Sequence, residues 1–208
     1  TGKSDHIEGN ICITSTEILS AYILPPVIQK LRQAEPGIEI EIVATNDESN
    51  LNRREADIAI RSFRPSQPEL IVKKLFEATG HLYAATTYLQ QLGNPRSIAE
   101  LNDANFIDFE KSGSLLSLLN SQGFNLSPHN FPVVTKNHTV QWELVKQGVA
   151  ISGMLEEVGD NEPLVERVIV PGIAPFPAEI CLVAHNELRT NRRVRRVFDF
   201  LVAEFADY

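Results

Sequence analysis

The sequence predicts an α/β protein made of two strand–helix units, and three observations predict it. Strand, helix and strand patterns alternate through the first sixty residues. The same alternation returns between about residue 81 and residue 152. Two chain passages, near Tyr83–Thr86 and near Pro177–Val183, join the two runs. Right-handed crossovers then give a parallel sheet with helices on both faces. The expected division is one lobe from 1–84 with 181–208 and a second from 85–180. Two such lobes around a central cleft make a binding protein with a hinge.

Composition sets the outer bounds. The chain has 208 residues, 43% hydrophobic and 22% charged, with a net charge of −8. Those values suit a water-exposed globular protein and make this polypeptide by itself a poor nucleic-acid binder. No apolar run approaches the ~18 residues of a membrane span. The first residues, TGKSDHIEGN, lack a secretion-signal core and look cut from a longer chain. Cys12 and Cys181 both lie in apolar runs and read as small buried hydrophobes, which suits a reducing cytoplasm.

Residues 10–14 (NICIT) read as a strand, and Ser15, Thr16 and Glu17 can cap the helix that follows. That helix carries Leu19, Tyr22, Ile23, Val27, Ile28 and Leu31 at helical spacing, with a kink or restart expected at Pro25 and Pro26. Pro36 and Gly37 end it. Residues 38–44 (IEIEIVA) alternate like a half-exposed strand. The stretch 51–61 is the densest in signal: a polar helix turn at 52–55 runs onto a short strand, 57–61, with Ile58, Ala59 and Ile60 as a continuous apolar run. Arg61 and Ser62 then stand at a strand end. Taken alone, Arg61 is a solvated arginine; ligands in open α/β sheets sit at carboxyl ends of parallel strands, which gives it a second reading.

The rest of the chain continues the pattern. Residues 70–76 and 81–85 read as two strands parted by a break at 77–80. Short helices follow at 87–92 and from Ser97, which forms a Ser-x-x-Glu capping box with Glu100. Strands are expected at 106–109, 131–135, 149–152, 164–170 and 179–184, and helices at 112–122 and 140–147. Asn137, His138 and Thr139 form a polar turn that can cap the last of these helices. Residues 171–177 read as a stiff connection, and an amphipathic helix with Val194, Val197, Phe198, Leu201, Val202 and Phe205 on one face closes the chain. Its arginines read as a solvated face.

No specific catalytic constellation is present. There is no G-x-S-x-G elbow, no phosphate-binding loop and no dinucleotide fingerprint. His6, His81, His129, His138 and His185 show no metal-pair spacing, so neither metal nor cofactor is expected. Asp57 beside Arg54 and Glu55 reads as a surface pair. His138 reads equally as a capping residue or a ligand contact.

Several segments together resemble the effector-binding domains of LysR-type transcriptional regulators. Tyr22-Ile23-Leu24-Pro25-Pro26 is similar to the family's L-x-P region, and Glu35-Pro36-Gly37-Ile38 to its Y-P-x-V step. Arg54-Glu55-Ala56-Asp57-Ile58-Ala59-Ile60-Arg61 resembles G-x-x-D-I-A-I-R. Leu82-Tyr83-Ala84-Ala85-Thr86-Thr87-Tyr88-Leu89 resembles L-x-A-S-P-x-Y-L. Asn94 to Leu101 and Val145 to Ile151 match further family segments. The resemblance implies a periplasmic-binding-protein-like fold of type 2, without enzymatic activity, in a cytoplasmic regulator. It implies a small organic effector, a carboxylate or an aromatic metabolite, in the interlobe cleft. It also implies a homodimer, a tetramer at full length, and DNA contact only through a winged helix-turn-helix domain outside this chain. The site positions that carry over are Ser15, Thr16, Ile18, Thr45, Arg61, Ser62, Phe109, Asn137 and His138, with Glu17 beside them. Aliphatic Ile18 and Leu19, where relatives that bind small anions are often polar, hint at a more apolar effector or at no tight anion site. The alternative is the solute-binding protein of a transporter.

Overall fold

β1 (Gly9–Ser15) is the strand on which the amino-terminal half is assembled. In the computed structural model, which describes residues 6–47 and 56–208, β1 pairs in parallel with β2 (Ile38–Ala44) and with β3 (Ile58–Arg61). Ser15 therefore lies level with Ala44 on one side and Ile60 on the other. β3 pairs antiparallel with β9 (Phe176–His185), and the order continues β2-β1-β3-β9-β4, where β4 is Leu70–Ala85. The parallel sheet expected from the sequence is thus mixed beyond β3.

The helix after β1 restarts at its prolines, as expected. Residues Leu19–Ile23 form a π-helical turn, and α1 (Leu24–Ala34) follows with Pro25 and Pro26 in its first turn. Neither proline can donate to the ladder, and Leu24 N–H reaches back five residues to the Leu19 carbonyl. α1 ends as Arg32 folds over Pro36 O at 2.9 Å and Ile38 O. Gly37 is required here because a Cβ would lie 2.7 Å from Ile7 O.

Asp57 is the stitch between β1 and β3. Its N–H donates to Cys12 O at 2.9 Å and its carboxylate accepts from Cys12 N–H at 2.8 Å. This backbone contact is a role for Asp57 that the reading as a surface pair does not include. Arg54, Glu55 and the helix turn at 52–55 lie outside the described residues.

The chain divides into two compact units, Thr1–Glu77 with Ala178–Tyr208 and Ala78–Pro177. β4 is the main departure from the sequence reading. It is one strand of 16 residues, with no break at 77–80. Phe76, Ala78, Gly80 and Leu82 keep the alternation, each buried. Gly80 pairs with Leu155 and His81 with Met154, so the ladder overrides the turn propensity of Thr79-Gly80.

In the second unit, α2 (Thr86–Gln91) leads to a single 3₁₀ turn at Ala99–Leu101. Ser97 Oγ accepts from Glu100 N–H, while Glu100 reaches Arg96 N–H rather than that of Ser97. β5 (Ile107–Asp108) and β6 (Val133–Val134) pair in parallel and are shorter than expected. Between them lies α3 (Ser114–Ser121), and after them α4 (His138–Lys146). α4 ends at Gly148, where φ is +77. β7 is Ser152–Leu155, three residues later than expected; Ile151 makes only an isolated bridge to Phe106. α5 (Glu156–Gly159) and β8 (Val165–Arg167) follow, and β9 begins inside the expected stiff connection, at Phe176. Phe106 anchors this core between Phe124 and Phe131, at ring distances of 5.9 and 5.8 Å.

The chain closes in the first unit with α6 (Arg192–Glu204), capped by Asn191 accepting from Val194 N–H at 3.1 Å. Val194, Val197 and Leu201 are buried. Burial of such a side chain contributes about 1.5–3 kcal/mol. An exposed ion pair such as Lys30–Glu204 contributes roughly 0.2–1 kcal/mol. The apolar stripe therefore decides how α6 docks. We predict that Asp57→Ala, which leaves the Cys12 N–H without its acceptor, destabilises the chain by about 1.5–3 kcal/mol, and that Asp57→Asn retains most of that stability. Urea unfolding of the three proteins checks this; an unchanged midpoint for Asp57→Ala would refute the stitch.

Candidate functional site

The carboxyl ends of β2, β1 and β3 lie side by side, and each is followed by a polar residue. Register sets Ser15, Ala44 and Ile60 level, so Thr16, Thr45 and Arg61 come next along the same edge. Thr45 N–H donates to Ser15 O at 2.8 Å, carrying the pairing one residue past the strands.

Most polar groups on this edge are already engaged. Thr16 Oγ1 accepts from Leu19 N–H at 3.3 Å and Thr16 O from Ser20 N–H at 2.9 Å, so Thr16 starts the helix. Thr45 Oγ1 accepts from Asp47 N–H at 3.0 Å. Glu17 and Asn46 hold each other: Asn46 Oδ1 accepts from Glu17 N–H at 3.4 Å, and Asn46 Nδ2 donates to Glu17 Oε2 at 3.3 Å. Ser15 differs. Its side chain is fully buried, and its hydroxyl has no hydrogen-bond partner among the described residues.

Arg61 is not the solvated strand-end arginine that the sequence alone suggests. It is 2% exposed and donates to Thr14 Oγ1 at 3.3 Å and to Ile60 O at 3.2 Å. A buried guanidinium keeps its charge, because its pKa is too high for neutralisation. Ser62, next in the chain, is exposed. Ile18, expected as a site position, is 3% exposed and belongs to the core with Leu19.

In the second unit, Phe109, Asn137 and His138 come together. The Phe109 and His138 rings meet edge to face at 5.4 Å. Asn137 Oδ1 accepts from Val140 N–H at 2.9 Å and caps α4. His138 Nε2 lies 2.8 Å from Gly153 O on β7, so that nitrogen carries the proton. His138 is therefore a structural link at a helix start as well as a half-buried polar group.

Two positioning residues escaped the sequence reading. Asp108, 1% exposed, accepts from Phe109, Leu115 and Leu116 N–H and from Ser114 Oγ at 2.8–3.3 Å. It caps α3 from a distance and fixes the backbone of Phe109. Gln141, fully buried, donates to Thr135 O at 2.9 Å and accepts from Ser152 Oγ at 2.8 Å. The only sequence signal for Asp108 is an acid a few residues before a helix start. Gln141 has none, since a glutamine inside an amphipathic helix reads as solvent-facing.

A separate charged cluster clasps α5 to β4 and β8. Arg167 grips Asp160 with two donors, one at 2.8 Å, and lies 3.3 Å from Glu156. Tyr83 donates to Asp160 Oδ1 at 2.9 Å, and His81 meets Glu156 at 2.8 Å. The bonds from Arg167 and Tyr83 hold the Asp160 carboxyl below its ordinary value, with Arg167 the stronger influence. Burial, then Asp160, push the Tyr83 phenol up. Every member has a partner, which marks a structural clasp rather than an acid–base pair. Burial likewise raises the thiols of Cys12 and Cys181, so neither is poised as a nucleophile. Among the described residues no group of His, Cys, Asp or Glu is placed to hold a metal ion, and no helix is long and apolar enough to cross a membrane.

Two α/β units with polar, helix-starting residues at the carboxyl ends of their strands define a ligand-binding regulatory domain of the periplasmic-binding-protein-like class. The model of the LysR substrate binding domain matches residues 4–206, and the chain belongs to that family. The transcriptional regulator CrgA of Neisseria meningitidis is 26% identical over 212 residues, covering 96% of this chain and 68% of that protein. The solved CrgA regulatory domain superposes with a TM-score of 0.83 at 24% identity, covering 96% of this chain and all of the other. The full-length Vibrio cholerae virulence activator AphB gives 0.76 at 20% identity, over 96% of this chain and 69% of its own. These relatives are regulators, and they give the transporter alternative no support.

The depressed Asp160 carboxyl has a signed consequence. Its stabilising contribution is present above the ordinary carboxylate range, near about pH 4, and is lost as pH falls through the lower, folded value. Asp160→Asn is expected to lower thermal stability at pH 7 and to flatten its decline between about pH 5 and 3. Melting curves across that range check it; parallel curves for both proteins would contradict the clasp.

Proposed function

We propose that the strand-end edge of the first unit is the effector-binding face of this LysR-type domain. The effector is a small organic molecule, a carboxylate or an aromatic metabolite. Phe109, Asn137 and His138 are the second unit's own candidates for effector contact. The observation that carries this reading is the buried Ser15 hydroxyl with no protein partner among the described residues. Leaving a buried hydroxyl without a partner costs about 1–3 kcal/mol, so a fold that keeps one at a strand end has a use for it. A ligand oxygen or nitrogen supplies the missing bond. Arg61, buried beside Thr14, brings positive potential to the same edge and favours an anionic effector.

In this proposal the chain is the sensing part of a longer DNA-binding regulator. Effector binding here biases the orientation of an attached helix-turn-helix domain in the cytoplasm, and the domain has no catalytic role. The assembly is a homodimer through isologous contacts. Exposed Tyr22 and Ile42 in the first unit, and Val134 and Val140 in the second, supply apolar contact surface.

Ser15→Ala separates binding from folding better than Thr16→Val does, because Thr16 also caps the helix. We expect Ser15→Ala to leave thermal stability unchanged or raised, since no protein hydrogen bond is lost. Binding should weaken by about 1–3 kcal/mol. Calorimetric titration of a panel of organic acids and aromatic metabolites into both proteins measures this. A ligand that binds both with equal affinity would place the site elsewhere. Sedimentation of the chain at micromolar concentration is expected to show a dimer, and a monomer at every concentration would count against self-association.

A further inference from the structure

Five arginines lie between residues 189 and 196 of a chain whose net charge is −8. Three of them are occupied. Arg196 pairs with Glu35 at 2.6 Å, Arg193 donates to Glu8 O at 3.3 Å, and Arg192 has a partner too. Arg189 and Arg195, both exposed, have no hydrogen bond or ion pair among the described residues. These two line one cavity of about 250 Å³ within the first unit.

The cavity is built from four elements. Ile71 of β4 and Ala184 of β9 form part of its wall. Val194 and Phe198, one turn apart on α6, and Leu188 of the turn before it complete the apolar lining. Arg189 comes from the 3₁₀ turn Asn186–Thr190, whose start is tied to β4 by Asn186 N–H donating to Glu69 O at 2.8 Å. Arg195 comes from the first turns of α6. Asp199 is the single acid in the lining. Should it take Arg195 as an i,i+4 pair, Arg189 still remains, so the cavity keeps a net positive charge. None of the strand-end residues lines it.

An apolar pocket with a few convergent polar groups is the usual form of a small-molecule site. A guanidinium fork matches a carboxylate in planar, bidentate geometry. We propose that this cavity binds a small organic anion with an apolar body: a monocarboxylate carrying one ring or a short acyl chain. The apolar part lies against Ile71, Val194 and Phe198, and the carboxylate meets Arg189 and Arg195. It is a second ligand site, independent of the strand-end edge.

The test titrates the 208-residue chain with benzoate and octanoate, and with their neutral amides benzamide and octanamide, while methyl NMR follows Ile71 and Val194. At least one acid is expected to shift these methyls saturably, with its amide binding at least tenfold more weakly. The double variant Arg189→Gln/Arg195→Gln is expected to weaken the acid at least tenfold with an unchanged melting midpoint. Asp199→Asn is expected to tighten it. Ser15→Ala is expected to leave it unchanged, which separates this site from the strand-end edge. The proposal is overturned if neither acid binds saturably, if amides bind as well as acids, if the double variant binds like wild type, or if Ser15→Ala abolishes the methyl shifts.

Discussion

The paired hydrogen bonds between Asp57 and Cys12 hold the most consequential register in the molecule. They lock β3 onto β1 so that Ile13 faces Ile58 and Ser15 faces Ile60. A slip of one residue would turn Ile58 and Ile60 to the opposite face and carry Arg61 away from Thr14. Strands of four residues have few ladder bonds of their own, so a carboxylate that collects a neighbouring N–H weighs heavily in β3. The same register sets the carboxyl edge, where three strands deliver polar residues side by side.

Along that edge the distinction that matters is between spent and unspent polar groups. Thr16, Thr45 and Asn46 close local turns and cap the helix, which gives the edge its shape. Ser15, one residue before Thr16, is buried and its hydroxyl has no such role among the described residues. The second unit follows the same logic with different residues. Asp108 and Asn137 are consumed in starting α3 and α4, and Gln141 ties α4 to Thr135 and Ser152. Rigid scaffolding of this kind holds Phe109 and His138 in one arrangement. Their positions rest on part-buried hydrogen bonds, from Phe109 N–H to Asp108 and from His138 to Gly153 O.

Energetics and charge divide the labour elsewhere. Apolar burial docks α6, and its arginines act afterwards as selective contacts: Arg196 to Glu35, Arg193 to the Glu8 carbonyl, and Arg195 left toward the cavity beside Arg189 of the preceding turn. The clasp of Arg167, Asp160, Tyr83, Glu156 and His81 works differently. Partly exposed ion pairs contribute little singly, but Tyr83 is fully buried and its hydroxyl needs an acceptor, which Asp160 supplies.

The sequence by itself determined the family, the polar strand ends and most of the element order. Apolar periodicity, proline positions and capping residues are local signals, and local structure obeyed them in α1, α4 and α6. The proline pair predicted the restart at Leu24, and Asn137 was legible as a cap because capping is a property of neighbouring residues. Tertiary structure decided what depends on partners distant in the chain. The 77–80 stretch reads as a break, yet ladder bonds from β7 keep β4 continuous through Gly80. Asp57 reads as half of a surface pair, and becomes the backbone stitch because Cys12, 45 residues away, lies beside it. Arg61 reads as solvated, and is buried because β1 and β9 flank its strand. Whether the Ser15 hydroxyl finds a partner is settled by every neighbour in space, and sequence spacing carries no record of those neighbours.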